Sequence, residues 1–155
     1  MRFTLILPMA LLVFGCASNG KPSEDAQLLD KVPKIENQNH GKEDYVPQNL
    51  YDALSHLKKL LKPEQIQEMK QGTEQDMIQY HFGLGMWMRN NWGLWGNSKL
   101  RKWFISLGIH HPDDMSGIIL NSLWRDLNDQ PLHISKQVEF YNEFWKQRQG
   151  LYDVE

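Results

Sequence analysis

The sequence contains one cysteine, Cys16, in 155 residues, and this scarcity excludes several kinds of protein. A single thiol cannot form a disulfide within the chain, so no disulfide framework stabilises the fold. Cys16 follows an N-terminal hydrophobic segment, where we expect it to be chemically modified and not to act as a catalytic thiol. No serine lies in the Gly-x-Ser-x-Gly pattern of a hydrolase nucleophile either, so nucleophilic catalysis has little support.

Surplus positive charge and long hydrophobic runs are also missing. Lysine and arginine number 17 against 19 aspartates and glutamates, giving a formal net charge of −2. Because nucleic-acid binding depends on neutralising phosphates, we expect no nucleic-acid partner. The longest apolar run, Phe3 to Phe14, is shorter than the roughly 20 residues that cross a bilayer. A permanent transmembrane helix is therefore the weaker interpretation of it.

That N-terminal run has the arrangement of a secretory signal. Arg2 precedes it and small residues follow it, as in cleaved leaders. The segment Val13–Cys16, "VFGC", resembles the lipobox of bacterial lipoproteins. We expect residues 1–15 to be a signal peptide and Cys16 to carry the lipid, while simple secretion or an uncleaved anchor are the alternatives. Ala17 after the cysteine favours the outer membrane, so we expect a lipid-anchored envelope protein facing the periplasm.

Residues 16–45 differ in composition from the rest of the chain. They are polar, charged and interspersed with glycine and proline, so they cannot bury enough apolar surface to offset the entropy of ordering them. We expect a flexible linker between the lipid and a folded domain at 46–155. A partner-binding tail around "AQLLDKVPKI" (26–35) is the alternative.

The domain at 46–155 is predicted to be all-α, a compact bundle of five or six helices. The first has one apolar stripe of leucines, with Pro47 in its first turn and Pro63 ending it or starting the next. Later helices are predicted to start at Thr73, where Asp76 resembles a capping-box partner, and at further capping residues. The leucines of the stripe are Leu50, Leu54, Leu57 and Leu61, the further starts are Ser98, Pro112 and Ser135, and the predicted ends are Gly72 and Gly108.

The stretch His81–Asn97, "HFGLGMWMRNNWGLWGN", is the most unusual part of the chain. Gly83 and Gly85 fall inside the predicted third helix, where each costs about 1 kcal/mol relative to alanine. Such a cost is typical of a place where another group approaches closely. The structural interpretation is that tryptophans fill glycine notches in a core.

A binding site is the second interpretation of the same stretch. An aromatic pocket with a polar fringe suits a sugar, a peptidoglycan fragment or a peptide terminus. Each polar residue also has a structural explanation: the histidine as a hydrogen-bonded core residue, the asparagines as helix-end caps, and the arginine in an ion pair or stacked on a ring. The candidate binding residues are His81, Arg89, Asn90, Asn91 and Trp95.

Histidines and carboxylates suggest two further possibilities. The run His110–Asp114, "HHPDD", has metal-ligand residue types, but adjacent histidines point in different directions and the acids suit a first helical turn. We therefore expect neither a metal nor a cofactor. A cell-wall hydrolase would use His81 or His111 as base with Asp114, and would need the two groups within hydrogen-bond reach in a cleft. An immunity-like inhibitor of a periplasmic toxin is the remaining alternative.

The run His81–Leu100, followed by "HPDDMSGIIL" at His111–Leu120, resembles the DUF6794 family of bacterial domains of unknown function. The similarity extends over most of Val46–Trp145 and implies a small helical domain. It implies no activity, cofactor or catalytic residue. Together these observations favour a non-catalytic binding module for an envelope protein or for a glycan such as peptidoglycan.

Overall fold

The computed structural model describes residues 45–152, with side chains to residue 148. The predicted signal peptide, the lipid on Cys16 and almost all of the predicted linker lie outside the described residues. This part of the chain contains six α-helices and no strand, which confirms the all-α prediction. The α-helices are α1 (Leu50–Leu60), α2 (Pro63–Gln71), α3 (Met86–Asn91), α4 (Lys99–Ser106), α5 (Pro112–Leu127) and α6 (Ile134–Tyr152).

Local capping explains where several of these helices begin and end. The Ser98 side chain accepts a hydrogen bond from the Arg101 backbone N–H at 3.1 Å, as expected for the N-cap of α4. Gly108 follows α4 with φ of +86°, a conformation that glycine adopts without strain. The N-cap of α1 is Asn49, whose side chain accepts from the Asp52 N–H. Pro47 lies before this cap, so its predicted place in the first turn is wrong.

The start of α6 also differs from the prediction. Ser135 lies inside the helix, which begins at Ile134, and the Gln137 N–H donates to the His133 carbonyl at 3.1 Å. His133 has φ of +51°, so a sharp backbone turn sets this start. Serine is a conventional N-cap residue, but Ser135 lies two residues after His133, the residue that precedes the helix.

The predicted third helix is a continuous run that changes its winding twice. A 3₁₀ segment (Gln75–Tyr80) is followed by a π segment (His81–Gly85) and then by α3. Before it, the backbone N–H and hydroxyl of Thr73 donate to the Asp76 carboxylate at 2.8 and 2.7 Å. The Asp76 side chain therefore caps the Thr73 backbone N–H, as in a capping box, although the helix that follows is not a regular α-helix.

Helix α5 lies at the centre of the core. It contacts α1 and the 3₁₀, π and α3 segments on one side and α6 on the other. Within residues 45–152, no helix is both long and apolar enough to cross a bilayer. The buried residues of α5 are Pro112, Asp114, Met115, Ser116, Ile118, Ile119, Leu120, Ser122 and Leu123.

Candidate functional site

Arg89, the first candidate binding residue, lies in the interior with 6% of its surface exposed. Its Nη1 donates to the Ser116 hydroxyl at 2.7 Å, and its Nε lies 2.9 Å from the Asp113 carboxylate. Its Nη2 lies 3.4 Å from the His81 carbonyl oxygen. These contacts join α3, the π segment and the start of α5, so the charge of Arg89 is compensated inside the protein.

The other candidates of this stretch are separated by the fold. The Asn91 amide donates to the Trp87 carbonyl at 2.8 Å and so satisfies a carbonyl near the end of α3. This contact agrees with the interpretation of the asparagines as helix-end caps. Asn90 is exposed on the same helix. The His81 ring is partly buried in a cleft, whereas Trp95 is 59% exposed on the surface. The structure therefore does not gather the five candidates into one pocket.

The two helical glycines play different parts. A Cβ on Gly85 would lie 3.2 Å from Arg89 Nη1 and 3.6 Å from a Leu120 methyl, so this glycine makes room for the buried guanidinium. Nothing lies within 4 Å of a Cβ placed on Gly83. The expectation that tryptophans fill these notches is wrong: the one notch present holds an arginine and a leucine.

Asp113 lies between two histidines at the start of α5. Its carboxylate oxygens are 3.7 Å from His81 Nε2 and 3.6 Å from His111 Nδ1, just beyond hydrogen-bond distance. His111 Nδ1 already accepts a hydrogen bond from the Asp113 backbone N–H, and Arg89 holds one carboxylate oxygen. In the described part of the chain, no group of three or more potential ligand side chains is arranged to hold a metal ion.

A cleft of about 590 Å³ lies between the start of α5 and α6. The His111 and Trp145 rings line it, with centroids 5.6 Å apart and planes tilted by 32°. The Trp95 ring also meets that of His111, edge-on at 6.2 Å, so His111 contacts both tryptophans. We call this the aromatic cleft, and its lining residues are Gly108, Ile109, His110, His111, Asp114, Asn142, Trp145 and Lys146.

Polar groups complete the aromatic cleft. The Trp145 indole N–H donates to Asp114 Oδ2 at 2.7 Å and fixes the orientation of its ring. Burial raises the pKa of Asp114, an effect that this hydrogen bond and the nearby His111 partly oppose. The Asn142 amide lies close to Gly108, where any side chain would approach it at 3.3 Å. A ring face, a carboxylate, an amide and the ammonium of Lys146 therefore converge.

A second, larger cleft of about 800 Å³ runs on the other side of Asp114. We call it the long groove. Its floor is α5, and its walls are the 3₁₀ and π segments and α6. Its lining includes Met77, Ile78, His81, Asp113, Asp114, Gly117, Leu120, Asn121, Arg125, Lys136, Phe140 and Tyr141.

Contacts between the walls shape the long groove. Arg125 and Glu74 form a two-point ion pair of 2.7 and 2.6 Å at its edge. The Tyr141 hydroxyl lies directly over Gly117, where a Cβ would collide with it. Burial, with a smaller effect of the Asp114 charge, raises the pKa of Tyr141 to about 12. The phenol therefore stays neutral in this seam at physiological pH.

Sequence reasoning missed the α6 side of the aromatic cleft, which consists of Asn142, Trp145 and Lys146. A usable signal was present, because Tyr141 and Trp145 are four residues apart and so lie on one face of α6. Their partner groups, Gly117 and Asp114, are also close together on α5. Pairing the two faces required knowing that α5 and α6 are neighbours.

Comparison with known proteins gives one match. A family model described as a domain of unknown function, DUF6794, matches residues 46–127. No curated protein and no solved structure gives a match. The match ends at the last residue of α5, short of the Trp145 limit inferred from the sequence, so α6 lies beyond it.

Proposed function

We propose that this chain, which belongs to the DUF6794 family, is a non-catalytic binding module whose ligand is a glycan of the bacterial envelope. One observation carries this proposal. In the aromatic cleft, the Trp145 ring is fixed by its hydrogen bond to Asp114 and lies against His111. A ring held in this way presents a flat apolar face beside converging polar groups, which is the general form of a small-ligand site.

The chemistry of the cleft suits a sugar ring. One face of a pyranose carries C–H groups that pack against an aromatic ring, while its hydroxyls donate and accept hydrogen bonds at the edge. Asp114 supplies an acceptor, Asn142 both a donor and an acceptor, and Lys146 a cation. Lys146 also suits an acidic sugar, such as the lactyl-bearing sugar of peptidoglycan.

Trp95 extends this surface. Among the five candidate binding residues of His81–Asn97, Trp95 contacts the aromatic cleft, because its ring meets that of His111 edge-on. Two tryptophans that both contact His111 suit an oligosaccharide of more than one unit. Arg89 supports the site indirectly, because it holds Asp113 in the turn that follows His111.

The geometry favours binding over hydrolysis. Asp114, the carboxylate expected to assist a histidine base, accepts from the Trp145 indole instead. Asp113 lies nearer to His81 and His111, but both distances exceed 3.5 Å, and Arg89 holds this carboxylate. A general base needs a closer, aligned partner.

The proposed location follows from the N-terminal sequence. Cleavage after residue 15 would leave Cys16 as a lipid-bearing first residue, and removal of Arg2 would change the net charge from −2 to −3. We place the domain at the outer membrane, facing the periplasm. There the cleft would meet envelope glycans or, as the alternative ligand class, an envelope protein.

The proposal predicts that Trp145→Ala abolishes glycan binding. Titration of the protein with the soluble peptidoglycan disaccharide and with chitooligosaccharides, followed by calorimetry, measures this. We expect at least a tenfold loss of affinity, with Trp145→Phe intermediate because it keeps a ring but loses the N–H donor. The control is Phe82→Ala, which removes an exposed ring that does not line the cleft.

Two results would contradict the proposal. Equal weakening by Trp145→Ala and Phe82→Ala would place any binding outside the cleft. If neither sugar binds the parent protein while a cross-linked envelope protein is lost from Trp145→Ala alone, the ligand is a protein. Circular dichroism melts of each variant separate lost binding from lost folding.

A further inference from the structure

Four of the most exposed large apolar side chains border or adjoin the long groove. Ile78 and Phe140 lie on opposite walls of the groove and are 72% and 64% exposed. Phe82 is 77% exposed, and its ring meets that of His81, a groove residue, edge-on at 5.2 Å. Phe144 lies one helical turn beyond Phe140. Together these residues form what we call the apolar rim.

Helix α6 places a cation at each end of its part of this rim, and the acids Glu139 and Glu143 are also exposed on this helix. Lys136, Phe140, Phe144 and Arg148 are spaced four residues apart, so they form one stripe along the helix, and all four are exposed. The Arg148 guanidinium lies 4.8 Å from the centroid of the Phe144 ring. Aromatic residues flanked by cations are characteristic of helices that lie in a membrane interface.

From this arrangement we propose that the apolar rim rests on an anionic phospholipid bilayer, with Phe82 and Phe140 inserted among the lipid headgroups. The rim side chains protrude on either side of an open groove, a shape suited to a soft surface. Lys136 and Arg148 complement lipid phosphates. The rim adjoins the aromatic cleft, because the Phe144 ring meets that of Trp145 at 5.5 Å, but the membrane contact needs no glycan.

The N-terminal segment supplies the reason for choosing a bilayer as the partner. This inference rests on the proposed lipid at Cys16. From Cys16 to Tyr45, the first residue that the structure describes, there are 28 intervening residues. At most about 3.6 Å per residue, they keep the domain within roughly 100 Å of the membrane. Such a tether raises the effective concentration of the surface, so that even a weak contact is occupied.

The test uses the full chain, reconstituted in vesicles of phosphatidylethanolamine and phosphatidylglycerol with brominated acyl chains. A polarity-sensitive dye is attached through Gly83→Cys, beside Phe82, where a side chain meets open space. The matched reporter is Lys102→Cys on α4, a helix that contributes no residue to the groove. We expect the dye at position 83 to be quenched at least threefold more than the dye at 102.

Second changes identify the groups responsible. Combining Phe82→Ser with Phe140→Ser should abolish the difference between the two reporters. Changing Lys136 and Arg148 to glutamine should reduce it, and vesicles without phosphatidylglycerol should do the same. Equal quenching at positions 83 and 102, or full quenching in the double serine variant, would overturn the proposal.

The unmodified chain separates this inference from the lipid-anchor proposal. Cys16 is its only thiol, so dye uptake by the parent protein would show that Cys16 is free and that the anchor proposal fails. The membrane contact is then measured in a Cys16→Ser background, with the same pair of reporters. Glycan titration is a third, independent measurement.

Discussion

Helix α5 has two sides that the protein uses differently. Toward α1 and the 3₁₀, π and α3 segments, it packs through fully buried side chains such as Met115 and Ile119. Polar links occur on both sides, and toward α6 they include the bond from Trp145 to Asp114 and the bond from the Gln137 amide to the Ser122 hydroxyl at 3.0 Å. The family match includes the first side and ends before α6.

Both clefts have α6 as one wall, and the long groove has the 3₁₀ and π segments as its other wall. A close-packed interior stabilises the fold because it excludes water and leaves few voids, and for the same reason it has no room for a ligand. The seam with α6 is less complete, so aromatic and charged groups meet solvent there. We infer that the matched region supplies the stable platform and that α6 converts one side of it into binding surface.

The largest expected effect is on the packed side. Arg89→Met removes a buried guanidinium, leaves the Ser116 hydroxyl without its donor and leaves Asp113 without its ion pair. Because Asp113 is partly exposed, we expect a loss of about 2–3 kcal/mol in the free energy of unfolding, below the range for a fully buried pair. Urea denaturation measures it.

The neighbouring Asn90→Ala variant is the control, because Asn90 is exposed and its loss should change stability by less than about 0.5 kcal/mol. A small effect of Arg89→Met would show that this charge is not part of the platform. The surface interpretation of Arg89 would then regain support.

A smaller effect is expected at the seam. Gly117→Ala places a methyl group against the Tyr141 hydroxyl and should destabilise the protein by about 1–2 kcal/mol through overpacking. In a Tyr141→Phe background the hydroxyl is absent, so the same alanine should be neutral or stabilising, as alanine is in most helices. Thermal unfolding of the four proteins tests this, and additive effects of the two changes would contradict it.

The smallest effect is a pH dependence at Asp114. Because burial raises its pKa in the folded protein, the folded state holds this proton more tightly than the unfolded chain does. Protonated Asp114 therefore makes its full contribution to stability below about pH 3.8, the ordinary pKa of this carboxyl. That contribution is lost as the pH rises through the raised pKa of Asp114 in the folded protein. Asp114→Asn has no such loss.

We expect the melting temperature of Asp114→Asn, relative to the parent, to increase between pH 3.5 and pH 7. The other titrating groups are common to both proteins and largely cancel in the difference. A relative melting temperature that stays constant or falls over this range would mean that Trp145 and His111 compensate the charge fully.

The helical class and several helix boundaries could be predicted from the sequence because their causes are local. Pro112, Ser98 and Gly108 act through their own backbone geometry or a hydrogen bond within one turn, and the leucine stripe of α1 needs only helical periodicity. Ser135 failed as a cap because the turn at His133 is imposed by the path from α5 to α6. Local propensity carries no information on that path.

The candidate site was only partly predictable for a related reason. Arg89 and Trp95 stand six residues apart in one unusual stretch, yet one is buried against α5 and the other is exposed. Their different environments depend on the end of α3 at Asn91 and on the turn that follows it, where Gly93 has φ of +62°. Trp145 and Asp114 are 31 residues apart, so their pairing depends on helix packing that no short motif records.

Because the winding changes along the run Gln75–Asn91, the number of residues in this run affects the direction of its side chains as much as their identity affects its surface. In an α-helix each residue advances the azimuth by about 100°, and a π segment accommodates an extra residue within one turn. Deletion of a single residue from His81–Gly85 would rotate the 3₁₀ segment before it relative to α3 after it. Ile78 would then face a new direction while Arg89 kept its bonds to Ser116 and Asp113, so deletion of one codon would reorient part of the apolar rim.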